Sequence, residues 1–351
     1  MLAITVAVFA FYPSDHYIFL PDPARNVEPL VQVEGEHERP GDGGIYMVDV
    51  IVRKASLLER YFPGLLHDGD ATLIPAKVYN PQNLPERIQR QQGLEEMSTS
   101  QKIAAAVALR ELGYDIEVTG TGAVVRNVGS DMPAAGVLEI NDTIVAIDDV
   151  PITTAGQAVD AIGAHKPGDT ITMRIEPISP EGVKGEPHDE VVTLGARPDD
   201  ASQALLGVSM GTRDTQFDLP VTITIDSQDV GGPSAGLALT LGIIDVMTPG
   251  SLSGGKRVAV TGTIDLDGNV GIIGGIQQKT FLASRSGITL FIVPEPEADE
   301  ARKYADPGLT IVGVRTIDEA LAALAENGGS VDVVEEAAAA ASTTPPGSEG
   351  P

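Results

Sequence analysis

The spacing of apolar positions changes along the chain, and the changes of period divide it into segments. Short β-branched runs at 30–33 and 44–52 predict strands, separated by Gly43 and Gly44, and a short helix beginning near Ser56 is broken before Pro63. Residues 85–112 read as largely helical, with Ser98 or Ser100 able to cap the Ala-rich stretch 101–112 and Gly113 supplying the stop. From 114 to 197 the texture differs. Runs at 122–128, 143–147, 170–175 and 190–194 alternate with Gly, Pro and Asp turns, and one helical segment, 154–165, interrupts them. Residues 221–225 then read as a strand, 236–247 as a strongly apolar helix, 257–264 as a strand, 275–286 as a helix ended by Gly287, and 288–293 as a buried strand. That order predicts α/β structure with mixed pairing.

A length of 351 residues suggests two domains at about 150 residues each. Aromatic residues are only 4% and Trp is absent, so the core must come from small aliphatic side chains. The net charge of -27 disfavours nucleic acid, whose phosphates such a surface repels. With no cysteine, disulfides, thiol catalysis and thiolate zinc sites are excluded, and no metal or cofactor is expected. The opening MLAITVAVFAF is apolar but shorter than the roughly 20 residues of a membrane span. It reads either as a buried strand or short helix, or as the outer part of an anchor that begins upstream. Residues 328–351, rich in Ala, Ser, Thr, Pro, Gly and Glu, are expected to be disordered.

The stretch Gly231-Gly232-Pro233-Ser234-Ala235-Gly236 lies between a strand and the apolar helix, which places Ser234 at a helix N-terminus. Backbone N–H groups there can hold an oxyanion; equally, Ser234 can serve only as a cap. Residues 232–236 also fit the G-x-S-x-G pattern of a Ser-Asp-His hydrolase, whose histidine must follow the serine. His16, His37, His67, His165 and His188 all precede it, so that triad is absent. Downstream, Lys279 stands early in the helix that follows Gly274-Gly275. Desolvation and the helix dipole would lower its pKa into the range of a useful base, although alone it also reads as an ordinary solvated lysine. Residues 250–257 approach a phosphate-binding loop, but Arg257 replaces the required hydroxyl and a strand follows instead of a helix, so no nucleotide is expected.

Residues 231–294, from GGPSAG through VAVTGT and GGIQQK to FIVP, resemble the proteolytic domain of Lon proteases. The resemblance implies a serine endopeptidase acting on polypeptides, with Ser234 as nucleophile, Lys279 as base, Thr261 orienting the lysine, and Gly232 and Pro233 supporting the serine. Two departures stand out: Gly231 occupies a position that is acidic in many Lon sequences, and Thr261-Gly262-Thr263 replaces T-G-E. No ATPase module accompanies these motifs, so ATP-independent action is expected, and Lon-type domains suggest a ring-forming homo-oligomer.

Residues 114–197 resemble a PDZ domain through AVVRNV at 123–128, 130–136 and LEINDTI at 138–144. That resemblance implies capture of a peptide ligand along Gly120, Thr121, Gly122, Ala123, Val124 and Val125, beside helix 154–165. A structural insert without ligand is the alternative. The whole arrangement resembles the YlbL-like family of bacterial PDZ-containing proteins, which implies a single-pass membrane anchor with the peptidase outside the cytoplasm. The expected plan is an anchor remnant at 1–12, strands and helices of the Lon-type fold at 13–113, an inserted small β-rich PDZ domain at 114–197, the rest of the Lon-type domain, α+β/α/β with a mixed sheet, at 205–327, and the tail at 328–351.

Overall fold

The structure is a computed structural model and describes residues 9–33, 43–67, 69–178, 184–197, 200–227 and 230–343. It divides into two compact units, one formed by Met1–Asp115 together with Leu219–Pro351 and the other by Ile116–Asp218. The early strands and the later helices thus share one unit, with the second inserted between them.

The first unit is built on a six-stranded sheet. Its strands are β1 (Pro13–Asn26), β2 (Gly44–Ser56), β3 (Thr72–Pro75), β4 (Arg257–Val260), β5 (Leu290–Pro294) and β6 (Thr310–Val314), in the order β6-β5-β4-β2-β1-β3. β2, β4, β5 and β6 are mutually parallel, and β1 runs antiparallel to both β2 and β3. Parallel neighbours need crossover connections. A helix at Ile276–Arg285 joins β4 to β5, and one at Ala298–Tyr304 joins β5 to β6. Covered on both faces, β5 is buried at all five positions, which explains its uninterrupted LFIVP.

β1 carries Pro21 and Pro23, which read as strand breakers. Both are accommodated because β3 pairs only with His16 to Phe19, so that no described strand pairs with Pro21 or Pro23 on that edge, and because the β1–β2 register slips between Asp22 and Arg25.

Helix α1 spans Glu86–Glu111 without interruption. Ser98 and Ser100 lie inside it and cap nothing; Ser100 is buried, and its hydroxyl donates to the carbonyl of Pro233 at 3.3 Å. α1 packs on α2 (Gly236–Met247), in which every residue from Gly236 to Val246 is buried. A helix enclosed on all sides has no need of a polar face, which accounts for its composition. Helices α3 (Ile276–Arg285) and α4 (Ile317–Glu326) complete the set that positions the site.

Two expected boundaries move. The second unit runs to Asp218, beyond 197, so residues 205–218 do not belong to the Lon-type sheet as expected. The reason is that Val208–Thr212 pairs antiparallel with Ala123–Val128 and extends that unit's own sheet. Of the expected tail, Asp332–Thr343 is a helix whose Val334 is buried in the main core, and its Ala338 backbone lies against Gly113. Apolar residues spaced at 331, 333, 334 and 337 supply this packing. Residues 344–351, and Met1 to Val8 of the expected anchor remnant, fall outside the described residues, while residues 9–11 are helical. No helix among the described residues is long and apolar enough to cross a membrane.

Candidate active site

Ser234 sits on a short 3-10 turn, Pro233–Ala235, that runs directly into α2. Gly232 makes the approach possible: its φ of 88° lies where a side chain is strained, and its amide donates to the carbonyl of Gly93 in α1 at 2.8 Å. The Ser234 carbonyl is held from the other side. It accepts from the Gly262 amide at 2.9 Å and from the Thr261 hydroxyl at 3.2 Å. Thr261 follows β4 and is fixed in turn by its amide, which donates to Ile292 of β5 at 3.0 Å. The serine is thereby tied to the centre of the parallel sheet.

Lys279 reaches this point from the first turn of α3, where its amide donates to the carbonyl of Gly275. Its side chain is 1% exposed, and Nζ donates to Ser234 Oγ at 2.9 Å and to Thr261 Oγ1 at 2.9 Å. Burial pushes the lysine pKa down to about 8, against the opposing pull of the Asp49 and Glu297 carboxylates. Those two acids respond in kind. Burial raises Asp49, with the Lys279 and Arg25 charges acting against it; burial also raises Glu297, opposed by the hydrogen bond from the Ile273 amide and then by Lys279. Both acids escaped the sequence reading. The signal for Asp49 was a single carboxylate inside the apolar run Ile45 to Val52; Glu297 carried none. The Glu297 side chain accepts the Ile273 amide at 2.9 Å, which anchors the glycine-rich approach to α3. On the opposite flank the β3 hydroxyl of Thr72 bonds both Gln277, at 3.0 Å, and the buried Gln278, at 2.7 Å.

Among the described residues, no histidine takes part in these bonds. His16 and His67 are paired with Asp15 and Glu59, and His37 is outside the described residues. Lys256 of the near-phosphate loop donates to the carbonyl of Asn327, at the C-terminal end of α4, where a cation suits the dipole.

In the second unit the sheet order places Ala123–Val128 between Thr143–Ile147 and Val208–Thr212. Both edges of 123–125 are occupied, since Ala123 and Val124 pair with Ile144 and Thr143 and Val125 exchanges bonds with Asn141 and Asp142. The amides that precede it are also committed: Thr121 donates to Arg213 at 2.9 Å and Gly122 to Thr153 at 3.0 Å. The segment Gly120 to Val125 therefore has no room for an added peptide strand, contrary to expectation. The sheet ends on one side in His188–Thr193 and on the other in Val208–Thr212, and helix Ala155–Gly163 packs beside the latter, with the Ala155 amide donating to Thr212 Oγ1 at 3.0 Å.

Residues 214–327 match the family of the Lon protease (S16) C-terminal proteolytic domain, and residues 110–176 match the PDZ domain family. The chain carries a Lon-type proteolytic domain and a PDZ domain. Among curated relatives, the Lon protease of Buchnera aphidicola subsp. Schizaphis graminum is 32% identical over 115 residues, covering 32% of this chain and 14% of that protein. The Lon protease of Rickettsia felis is 35% identical over 108 residues, 30% of this chain and 14% of the relative. That of Chloroflexus aggregans is 26% identical over 213 residues, 58% of this chain and 24% of the relative. The chain thus spans about a seventh to a quarter of the length of these Lon proteases. Among solved structures, the PDZ domains of SdrC-like proteins from Listeria monocytogenes and Listeria innocua are 25% and 24% identical. They cover 27% and 25% of this chain and 92% of each of those chains, with TM-scores of 0.23 and 0.22.

Within the Lon-type domain the glycine at 231 has a local cause. A Cβ there would sit 3.2 Å from the Gly93 carbonyl carbon, because the backbone of α1 crosses at this point. The reverse change is roomier, since a Cβ on Gly93 would meet Gly231 Cα at 3.6 Å. Gly231→Asp is expected to lower the unfolding midpoint and to slow any reaction at Ser234, at a cost of about 1–3 kcal/mol. Gly93→Ala should be neutral or gain up to about 1 kcal/mol from helix propensity. Thermal unfolding of the two variants checks the pair, and equal behaviour would show that the crossing does not restrict residue 231.

Proposed function

We propose that the chain is an ATP-independent serine endopeptidase using Ser234 and Lys279 as a catalytic dyad. The observation that carries this reading is a nearly fully buried lysine amine 2.9 Å from the hydroxyl of a serine at the start of a helix. Neutral Lys279 presents its lone pair to the Ser234 hydroxyl and takes that proton as Oγ attacks the carbonyl carbon of a peptide bond. Negative charge gathers on the carbonyl oxygen at the N-terminal end of α2, whose positive dipole end favours it, while the Gly236 and Leu237 amides donate to the carbonyls of Pro233 and Gly262. Collapse expels the amine, which receives the proton from Lys279, and leaves an ester on Ser234. Water then attacks the ester, Lys279 again taking the proton, and the carboxylate product leaves with the serine restored. Thr261 acts as a positioning residue, since its one hydroxyl touches both the Lys279 amine and the Ser234 carbonyl.

The PDZ domain is read as the module that captures polypeptide. A peptide would add to the terminal strand Val208–Thr212 beside helix Ala155–Gly163, using main-chain bonds that an internal strand cannot offer. Attachment to a bacterial membrane with the peptidase outside the cytoplasm, and assembly into a homo-oligomer, complete the proposal.

Two tests follow from this reading. Ser234→Ala and Lys279→Ala should each remove cleavage of an unfolded protein substrate, by about 10³-fold or more, and the double variant should be no worse than either single one. Multiplying losses, or activity retained in Lys279→Ala, would break the dyad; no cleavage by the unaltered chain would favour a silent binding scaffold. For the PDZ domain, amide exchange in the full chain is expected to slow across 208–212 when a peptide with an apolar C-terminus is added, with 122–126 unchanged. Slowing at 122–126 alone would return the groove to the internal strand.

A further inference from the structure

Among the described residues of the first unit, exposed large apolar side chains cluster around two short helices. Leu57–Tyr61 and Pro63–Leu66 form two short helices with the sequence LLERYFPGLL, in which Tyr61, Phe62, Leu65 and Leu66 are 57%, 56%, 71% and 52% exposed. The surface continues into the segment that opens the described chain. Phe11 is 86% exposed and Tyr12 62%, the ring of Phe9 stands 6.4 Å from that of Tyr61, and the Leu57 amide donates to the Tyr12 carbonyl at 3.0 Å. Phe11, Pro13 and Leu66 share the wall of a cavity of about 240 Å³, closed on its polar side by Arg53 and Lys54. An uncovered group of this size on one face is not ordinary surface for a chain with so few aromatic residues.

We infer that this face, Phe11 and Tyr12 together with Tyr61, Phe62, Leu65 and Leu66, inserts into the headgroup–acyl boundary of a phospholipid bilayer. The chemistry of the rim favours lipid over another protein. Tyr rings suit a boundary that is apolar on one side and wet on the other. Arg60 lies over the Tyr61 ring at 5.3 Å and pairs with Asp15, while Arg53 pairs with Glu59. Arg53, Lys54 and Arg60 thus outnumber Asp15 and Glu59 beside the patch, so its rim is weakly basic in a chain whose net charge of -27 would otherwise hold it off an anionic surface. Long cationic side chains at the edge can bury their stems in the boundary and keep their heads in water. Residues 1–8, MLAITVAV, which precede this face in the sequence, are also apolar. A zwitterionic bilayer fits both the weakly charged rim and the apolar area. The inference is independent of the peptidase reading, because none of these residues touches Ser234, Thr261 or Lys279.

The absence of tryptophan makes the test direct. Phe62→Trp in the full chain gives a single fluorophore at the centre of the patch, and Leu65→Trp gives a second reporter should the first disturb folding. With phosphatidylcholine vesicles the emission should shift to the blue and be quenched by lipid brominated on its acyl chains. Adding Leu66→Ser to the Phe62→Trp chain should weaken partitioning by about tenfold. Emission unchanged by vesicles, whether or not the chain sediments with them, would overturn the inference. So would a blue shift in buffer that grows with protein concentration, which means a second copy covers the face, or one that persists at the highest dilution, which means residues 1–8 do.

Discussion

Burying a lysine amine among hydroxyl and carbon groups penalises its charged form, and much of the first unit is arranged around that penalty. A lysine pKa near 8 in place of about 10.4 corresponds to about 3 kcal/mol that the fold gives up when Lys279 is protonated. The sign is definite: the cost is full below pH about 8 and fades toward the unfolded value above pH 10. Such a side chain stays in place only if its neighbours leave it no cheaper position. The parallel strands supply that constraint, since Thr261 hangs from the end of β4, is bonded to β5, and offers its hydroxyl to Lys279. Buried Asp49 on β2 and half-buried Glu297 beyond β5 supply compensating negative charge without bonding the amine in place of Ser234.

The serine is held by an equally specific set of contacts, made through the backbone rather than the side chain. Its carbonyl is gripped by Thr261 and Gly262, and Gly232 behind it is gripped by Gly93 of α1. That leaves the hydroxyl as the group facing the amine. Helix α1, whose sequence offers no chemistry, thus becomes part of the site by crossing closely enough to crowd any side chain at residue 231.

Much of the site was legible in the sequence because its chemistry depends on glycine and on short segments. The approaches to Ser234 and Lys279 each need backbone that only glycine adopts easily, and residues 232 and 275 advertise it. Helix α2 was legible from its apolar run. What was hidden depended on pairing between distant segments. β1, with prolines at 21 and 23, looks like a loop until β2 pairs with it, and β3 is too short to stand out. Asp49 and Glu297 approach Lys279 only after β2 and β5 are set in the sheet. The second unit was read correctly as β-rich but misread in detail, because local sequence marks 123–128 as a strand without revealing that 208–212 pairs with its outer edge. The helix Asp332–Thr343 was concealed by an Ala-rich composition that suits either solvent or a shallow seat on a core.

The central claim is that Lys279, and not a histidine, sets the reactivity of Ser234. The rate at which a fluorophosphonate labels Ser234, followed against pH, measures this without any knowledge of the substrate. It should rise with pH through about 8 as the buried amine loses its proton, and fall to the background of a surface serine in Lys279→Ala. A rise centred near 6.5, the ordinary value for histidine, or a labelling rate unaffected by Lys279→Ala, would contradict the account.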